Sequence, residues 1–432
     1  MLRRVGCRLM ALRAFVEQKA FSSRVIGSRQ VHSRSACATA IVVSVAIAVA
    51  ASACSAATSG AVAACHAPSS GAADHAPPVN VLTQASDDGN GDIFIAPQGC
   101  GYASGPEIIS NTGKVIWFHA LPAGEFAADF RTQTYQGRPV LTWFQGRGLS
   151  GTDYIYNDRY QQIAEVRASH GYLTDFHEFL ITPWNTALIL ADAFGTANLT
   201  SIGGPADQKV FDAIVQEIDI RTGKVLFQWN SADHVPYRDS HNPRPASAAT
   251  PWDWFHINAV HLDTDGNLLI NSRYTWTTYK VNLHTGKIIW ELGGKQSTFK
   301  LTAAPGQVLD SASEIFAFQH DPEAIGNGEY TFFDDESDGS ATLLAHSRVV
   351  TVKLDLTTRV ATLVKSVDQP EGLVAPAFGN AQTTRDGDLF VGWGALPYIS
   401  EFSPSGRLLF NAELPVGVIT YRAYRLPWHP AS

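Results

Sequence analysis

Three histidines in this chain each stand near the start of an apolar run, in the segments DFHEFLIT, WFHINAVH and FQHDPEAI. They are His177, His256 and His320, and the second segment continues through Asn258 and a turn to Arg273. Imidazole can act as a general acid or base near neutral pH, or as a nucleophile that accepts an acyl, phosphoryl or sulfuryl group. Arginine offers a fork of donors to oxyanions, and asparagine adds fixed donors. Together these side chains predict a site for a tetrahedral anion.

A repeated turn and strand predicts the elements that position these residues. Six segments share this shape, the fifth in degenerate form and the sixth without the glycine: NTGKVIWF from position 111, RTGKVLFQW from 221, HTGKIIWEL from 284, PSGRLLFNA from 404, LTTRVATLV from 356 and NDRYQQIAEV from 157. Their spacing suits four-stranded blades, so we expect an all-β fold, a six-bladed β-propeller. Either the segment at 92–96 or the C-terminal strand at 421–426 is expected to close the ring. Two unrelated β-sandwiches are the alternative.

The blade starts explain why residues far apart in sequence should meet. In a propeller the first strand of each blade lines the central channel, and the three histidines, Arg131 and Asn380 all stand at predicted blade starts. A hairpin would return Arg273 to the side of His256. We therefore expect one axial pocket.

Each of these residues also has a structural interpretation. A lone histidine is more typical of a satisfied structural group, and only the shared blade position favours a functional one. Asn258 could bond only the backbone, and Arg273 could pair with Asp253 or Glu291. His261, His284 and His346 are assigned to strand or turn surfaces. The predicted substrate-binding residues are Trp254, Phe255, Phe318 and Asn380, with core packing as the alternative for the aromatic ones.

Composition limits the class of partner. The chain has 432 residues, of which 45% are hydrophobic and 17% charged, so it can bury a large core. Its formal net charge is −8, and residues 54–432 carry 24 basic and 39 acidic side chains, a net −15. Such a charge argues against nucleic acid or an anionic membrane surface as partner. An anionic substrate would need a local cationic site.

The N-terminal region predicts export. Residues 1–36 hold eight Lys or Arg, and residues 38–53 are uncharged and apolar. We therefore expect a signal peptide or N-terminal anchor over 1–53 and a secreted or cell-surface, extracytoplasmic protein. Cys54 follows Ala-Ser-Ala, so both cleavage and lipid attachment remain open.

The rest of the chain divides into two further parts. Residues 54–85 are rich in Ala, Ser, Gly and Pro and are predicted as a linker, and 86–432 as the propeller. Cys65 and Cys100 could pair in an oxidising compartment.

Longer segments carry a family resemblance. They are HEFLIT, WDWFHINAVHLDTDGNLLINSRYTWTTYKVNLHTGKIIWELGGK, FAFQHDPE, SRVVTVKLD, GNAQTTRDGDLFVGWG, YISEFSPSGRLLF and YRAYRLPWHP. Between about Asp92 and Pro430 the chain resembles the secreted arylsulfotransferase family, in the branch found in actinomycetes and fungi. The resemblance implies a six-bladed propeller. It also implies transfer of a sulfuryl group from an aryl sulfate to a phenol without PAPS, through a transiently sulfurylated histidine.

The same resemblance assigns roles to the candidate catalytic residues. His320 matches the nucleophile, while His256, Asn258 and Arg273 match the groups that hold the sulfuryl oxygens. His177 matches the remaining active-site histidine. We expect either that it protonates the departing phenolate or that arginine and histidine stabilise the phenolate directly. Neither a metal nor another cofactor is expected. The expected partners are aryl sulfate and phenol small molecules, with membrane contact only through the N-terminal anchor or a lipid.

Other interpretations stay open at this point. The N-terminal β-sandwich of the periplasmic relatives, which helps them dimerise, has no room before the propeller, so the oligomeric state is open. A metal-dependent propeller oxygenase or lyase is one functional alternative, because converging histidines can bind iron. A non-catalytic cell-surface binding propeller is the other.

Overall fold

The computed structural model describes residues 75–85, 88–99 and 101–431. The predicted signal or anchor segment, most of the predicted linker, and Cys54, Cys65 and Cys100 lie outside the described residues. Within the described ranges the chain forms six β-sheets of four or five strands, which confirms the predicted six-bladed propeller. Over the same ranges, no helix has the length and apolar character needed to span a membrane.

The strands in chain order are β1 (Asn80–Gln84), β2 (Asp92–Gln98), β3 (Glu107–Ile109), β4 (Val115–Phe118), β5 (Phe126–Tyr135), β6 (Arg138–Arg147), β7 (Ser150–Tyr156), β8 (Gln162–Val166), β9 (Leu173–Ile181), β10 (Thr186–Ala197), β11 (Gln208–Asp219), β12 (Val225–Asn230), β13 (Trp252–Asp253), β14 (Ile257–Leu262), β15 (Leu268–Ser272), β16 (Thr277–Val281), β17 (Ile288–Leu292), β18 (Lys300–Ala303), β19 (His320–Gly326), β20 (Glu329–Asp334), β21 (Arg348–Asp355), β22 (Val360–Asp368), β23 (Asn380–Thr383), β24 (Leu389–Gly392), β25 (Tyr398–Phe402), β26 (Leu408–Glu413) and β27 (Ile419–Leu426). A short α-helix covers Ser231–His234, and 3₁₀ turns cover Thr200–Ile202 and Tyr237–Asp239.

Each blade is a sheet of sequential antiparallel strands with small additions. From the inner strand outwards, blade 1 is β27-β2-β3-β4, blade 2 is β5-β6-β7-β8 and blade 3 is β9-β10-β11-β12, with β13 beside β11. Blade 4 is β14-β15-β16-β17, blade 5 is β19-β20-β21-β22-β18, and blade 6 is β23-β24-β25-β26-β1.

The two ends of the chain close the ring. The C-terminal strand β27 is the innermost strand of blade 1 and pairs with β2, with Phe94 opposite Tyr424. The two segments predicted as alternative closing strands are therefore partners in one blade. Strand β1 pairs with β26, with Asn80 opposite Glu413, so paired structure begins inside the segment predicted as a linker.

The repeated turns lie where the sequence predicts them. All six segments span the turn between the third and fourth strands of a blade. At Gly223 and Gly286 the backbone has φ of +70° and +69°, which a residue with a Cβ adopts only under strain. The apolar strands that follow belong to the blade exteriors, where Leu226 and Ile289 are exposed.

The core lies between neighbouring blades. Leu188 and Leu190 of blade 3 share a buried cluster with Val260 and Ile270 of blade 4. Fully burying such a side chain stabilises the fold by about 1.5–3 kcal/mol. This packing fixes the position of the inner strands and hence of the channel.

Five of the six inner strands have β-bulges, in which the inner strand has more residues than the strand it pairs with. The pairing register shifts between Ala128 and Arg131 on β5, across residues 175–178 on β9, at Asn258 on β14, across residues 321–322 on β19 and across residues 421–422 on β27. A bulge re-aims side chains and often lies beside an active site. Because of these bulges, consecutive residues of one strand can both reach the axis.

Candidate active site

The three candidate histidines meet at one end of the channel, although they belong to three blades. His177 lies in β9, His256 just before β14, and His320 begins β19. The ring centroids of His177 and His256 are 5.2 Å apart, and those of His177 and His320 are 6.4 Å apart. His177 and His320 are buried, whereas the side chain of His256 is 20% exposed. The structure therefore brings these sequence-predicted residues together.

Each histidine ring is oriented by its own carboxylate. The Nδ1 atoms contact Asp175 at 2.7 Å from His177, Asp253 at 2.5 Å from His256, and Asp335 at 2.7 Å from His320. An ionised carboxylate accepts the Nδ1 proton, so the lone pair of a neutral ring lies on Nε2. The buried Nε2 atoms of His177 and His320 have no protein partner. Two reactive nitrogens therefore remain available to a ligand.

Burial and neighbouring cations keep His320 neutral. Burial lowers the pKa of His320 well below its usual range, and the positive charge of Arg273 lowers it further. Burial also lowers the pKa of His177, although Asp175 opposes that change. The neutral form is the nucleophilic form of imidazole, so His320 is suited to attack.

The guanidinium of Arg273 is fixed by backbone carbonyls. Its Nη2 donates to the carbonyl of Ser337 at 3.1 Å and to that of Pro376 at 2.6 Å. Its buried Nε has no protein partner. Among the described residues no carboxylate lies within 4.0 Å of it, so neither Asp253 nor Glu291 is its partner. A positioned cation with a free donor suits an oxyanion.

Both polar groups of the Asn258 side chain bond other parts of the protein. Its Nδ2 donates to the carbonyl of Gln319 at 2.9 Å, and its Oδ1 accepts from Nδ2 of Asn271 at 2.6 Å. The side chain is fully buried. It fixes the carbonyl of the residue before His320, and its predicted contact with a sulfuryl oxygen stays a prediction.

Three of the four predicted substrate-binding residues lie elsewhere. Trp254 and Phe255 are fully buried in the core between blades 3 and 4, because they precede β14 on its packed side. Both polar groups of Asn380 bond the backbone of Ala423, so this residue ties blade 6 to β27. Phe318 is buried beside the site, with its ring centroid 5.2 Å from the Arg273 guanidinium carbon.

Other aromatic rings border the histidines and were not predicted. Tyr274 lies 4.9 Å from the ring of His256, Tyr421 lies 5.5 Å from His177, and Phe176 stacks on His177. Phe378 packs on Tyr421 at 5.3 Å. Phe176 and Tyr274 adjoin residues that the sequence already singles out, whereas no signal marks the other two.

Below the histidines lies an axial ion cluster, defined as Asp129, Arg131, Glu178, His261, Asp321 and Arg422. Arg422 lies 2.8 Å from Glu178, 3.4 Å from Asp129 and 3.4 Å from Asp321, and Arg131 contacts Glu178. With His261 protonated, three positive groups balance three carboxylates, so the cluster closes the channel without a net charge.

The assignment of His261 to a surface is wrong. Its Nε2 lies 3.1 Å from Glu178 and 3.5 Å from Asp321. Burial alone would lower its pKa, but Glu178 and Asp321 raise it to about 10. The sequence does place His261 on the inner strand of a blade, now β14, and that position could have indicated that its side chain faces the axis.

The spacing of the histidines does not suit a single metal ion. Within the described residues, the one set of three or more His, Cys, Asp or Glu side chains with all ligand atoms within 4.8 Å is Glu178, His261 and Asp321. The three site histidines are therefore farther apart than that limit. Arg422 already pairs with both carboxylates of the set. The wider histidine spacing favours a polyatomic anion over one ion.

The fold and the site thus define a six-bladed propeller protein with three histidines from three blades gathered at its axis. A family model described as "Arylsulfotransferase (ASST)" matches residues 131–414, well over half of the chain. The chain therefore belongs to the arylsulfotransferase family, and this membership supports a PAPS-independent aryl sulfotransferase with aryl sulfate and phenol substrates.

Similarity to other proteins is distant. A comparison with curated proteins finds no match. Solved structures that resemble the chain include a protein of unknown function from Bacteroides caccae, with 12% identity and a TM-score of 0.46 over 77% of this chain and 98% of that one. A streptogramin B lyase has 8% identity and a TM-score of 0.41 over 81% and 94%. Virginiamycin B lyase from Staphylococcus aureus has 9% identity and a TM-score of 0.37 over 81% and 99%.

Proposed function

We propose that the chain transfers a sulfuryl group from an aryl sulfate to a phenol through a covalent intermediate on Nε2 of His320. One observation carries the proposal. The Nε2 atoms of His320 and His177 and the Nε of Arg273 are buried polar atoms of one site, and none has a protein partner. Such atoms are costly to leave unpaired, so a bound oxyanion accounts for them.

Binding of the anion prepares the site. The negative charge of the sulfate ester favours the charged form of a nearby imidazole, so His177 takes up a proton on Nε2 and donates a hydrogen bond from that N–H to a sulfuryl oxygen. The free donor of Arg273 binds another oxygen. His320 stays neutral because burial and the charge of Arg273 lower its pKa well below the usual range, further than burial lowers that of His177.

The first transfer forms a nitrogen–sulfur bond. The lone pair on Nε2 of His320 attacks sulfur as the bond from sulfur to the aryl oxygen breaks. The bonding pair leaves with that oxygen, which takes a proton from His256. The sulfurylated ring keeps its Nδ1 proton, and the carboxylate of Asp335 balances the positive charge of the ring.

The second transfer reverses these steps. An acceptor phenol gives its proton to His256, its oxygen attacks sulfur, and the bond between sulfur and Nε2 of His320 breaks. We assign proton exchange to His256 rather than to His177. The pair of His256 and Asp253 has side chains 20% and 35% exposed, whereas His177 is only 4% exposed and its pKa is lowered. A proton can therefore reach His256 from solvent.

The test replaces the nucleophile. We expect His320→Ala to abolish transfer from 4-nitrophenyl sulfate to phenol, while His284→Ala on an exposed outer turn leaves it unchanged. The unaltered chain, quenched with donor alone, should gain the mass of one SO₃ group on the peptide that contains His320. Turnover by His320→Ala, or an adduct on another residue, would refute the assignment.

The two alternatives gain no support from the site. The spacing of the histidines and the nearby cations Arg273 and Arg422 argue against an iron-dependent oxygenase or lyase. In His320 the carboxylate of Asp335 contacts Nδ1 and leaves Nε2 free as a nucleophile. A propeller that only binds its ligand would not need that arrangement.

A further inference from the structure

Strands β10 and β11 of blade 3 continue beyond the inner strand of their blade. The pairing of β9 with β10 ends at Leu173 and Asp192, whereas β10 and β11 remain paired as far as Ala197 and Gln208. Strand β13 lies along the outer side of this extension, parallel to β11. The extension stands at the end of the channel where the inner strands begin, which is also the end that carries the histidines.

A carboxylate and two aromatic rings form a row across one face of this extension. Phe194 is the register partner of Phe211, and Phe211 is the register partner of Asp253. Partners on adjacent strands project their side chains from the same face of a sheet. We name Phe194 and Phe211 the rim aromatic pair, and their ring centroids are 4.7 Å apart.

The row begins at a residue of the active site. Asp253 contacts Nδ1 of His256 at 2.5 Å, so the face that carries the rim aromatic pair also faces that histidine. Adjacent strands are about 4.8 Å apart, which places Phe194 about 10 Å from Asp253 along the row. A two-ring phenol spans a comparable distance when its hydroxyl lies at the histidines.

Both rings of the pair are open to solvent, although Phe211 is half-buried. Phe194 is 52% exposed, and it is the one phenylalanine among the exposed large apolar side chains of the described residues. An exposed aromatic surface beside a reactive site commonly binds a ligand, because ring contacts add to the gain from burial.

We propose that the rim aromatic pair binds the second ring of a neutral two-ring phenol acceptor. This inference rests on the proposed function, since it assigns an acceptor class to the same site. We expect the acceptor to be neutral, because the partly exposed carboxylate of Asp253 lies in the row and would repel a negative group on the second ring of the phenol. A phenol with a single ring does not reach the pair.

The test compares two acceptors with 4-nitrophenyl sulfate as the donor. We expect the unaltered chain to prefer 4-phenylphenol to phenol in kcat/KM. In the double variant Phe194→Ala with Phe211→Ala, the ratio of kcat/KM for 4-phenylphenol to kcat/KM for phenol should fall about tenfold, mainly because KM for 4-phenylphenol rises. A tenfold change corresponds to about 1.4 kcal/mol. Its kcat/KM for phenol should stay within about twofold, as expected for a surface change outside the reacting groups.

Leu226→Ala is the matched control, because Leu226 is an apolar residue of the same blade that is 49% exposed. An unchanged preference in the double variant, or an equal loss in Leu226→Ala, would overturn the inference. A carboxylated analogue, 4′-hydroxybiphenyl-4-carboxylate, should be the poorer two-ring acceptor, and equal use of both would also count against it. Transfer to phenol tests the proposed function separately, so the two failures are distinguishable.

Discussion

Replacing Asp335 by asparagine tests the idea that a carboxylate sets the reactive state of His320. The Nδ1 of His320 lies 2.7 Å from Asp335, and their side chains are 1% and 0% exposed, so water cannot take the place of the carboxylate. An asparagine amide that donates to Nδ1 moves the ring proton to Nε2 and removes the attacking lone pair. An asparagine carbonyl in the same place keeps the tautomer but loses the charge that balances the sulfurylated ring.

The expected loss is large in either orientation. We expect kcat for 4-nitrophenyl sulfate with phenol to fall by about 10⁴, the effect of imposing the wrong tautomer on a catalytic histidine. Initial rates at saturating donor measure it, with circular dichroism as the check on folding. The matched control is Glu107→Gln, another buried carboxylate replaced by its amide, in blade 1. Asp335→Asn with a rate within about tenfold of the unaltered chain would refute the reasoning.

The same pair determines a pH dependence. Burial raises the pKa of Asp335 well above its ordinary 3.8, although Arg273 opposes this, and burial lowers the pKa of His320. The reactive form has an ionised Asp335 and a neutral ring, so it appears only after the pair loses one proton. We therefore expect kcat to rise with pH along an acid limb that lies above pH 3.8, and Asp335→Asn should lack that limb.

Two further changes test the cation and the buried carboxyl. Arg273→Lys should lower kcat by about 10²–10³, because an ammonium donates from a single nitrogen and cannot reach both the carbonyls bound by Nη2 and the position of the free Nε; unchanged kinetics would contradict this. Burial raises the pKa of Glu107 from 4.5 to about 8, so the folded chain holds that proton more tightly than the unfolded chain does. Its stability should therefore fall as pH rises from 4.5 to about 8, by roughly 5 kcal/mol once fully above that range, and Glu107→Gln should remove the fall in urea unfolding at several pH values.

The architecture could be predicted because it repeats. The turn signature at Gly223 and Gly286 recurs in every blade, with or without its glycine, and each copy marks the same outer strand. Blade position then indicated that His177, His256 and His320 would share the axis. The order of strands is enough to place them there, and the sequence expresses that order directly.

The finer contents of the site could not be predicted in the same way. Simple alternation along a strand sends neighbouring side chains to opposite faces, yet bulges bring both His177 and Glu178, and both His320 and Asp321, to the axis. Asn380 was assigned to the pocket from its blade position, and Asn258 from its place near His256 and from the family resemblance. Whether an amide faces a ligand or a neighbouring backbone depends on register, which neither signal gives. Asp253 lies three residues before its histidine and could have been found from that spacing.

The way the ring closes has a consequence for biosynthesis. Strand β27 is made last, yet it forms the inner wall of the blade that contains the first described strands after β1, and it supplies Arg422 to the axial ion cluster. A nascent chain whose final segment is still inside the ribosome lacks the pairing of β27 with β2 and the contribution of Arg422 to the axial ion cluster. Sulfotransfer should therefore report on completed synthesis, and a fragment cut before Ile419 should be inactive even with every histidine present.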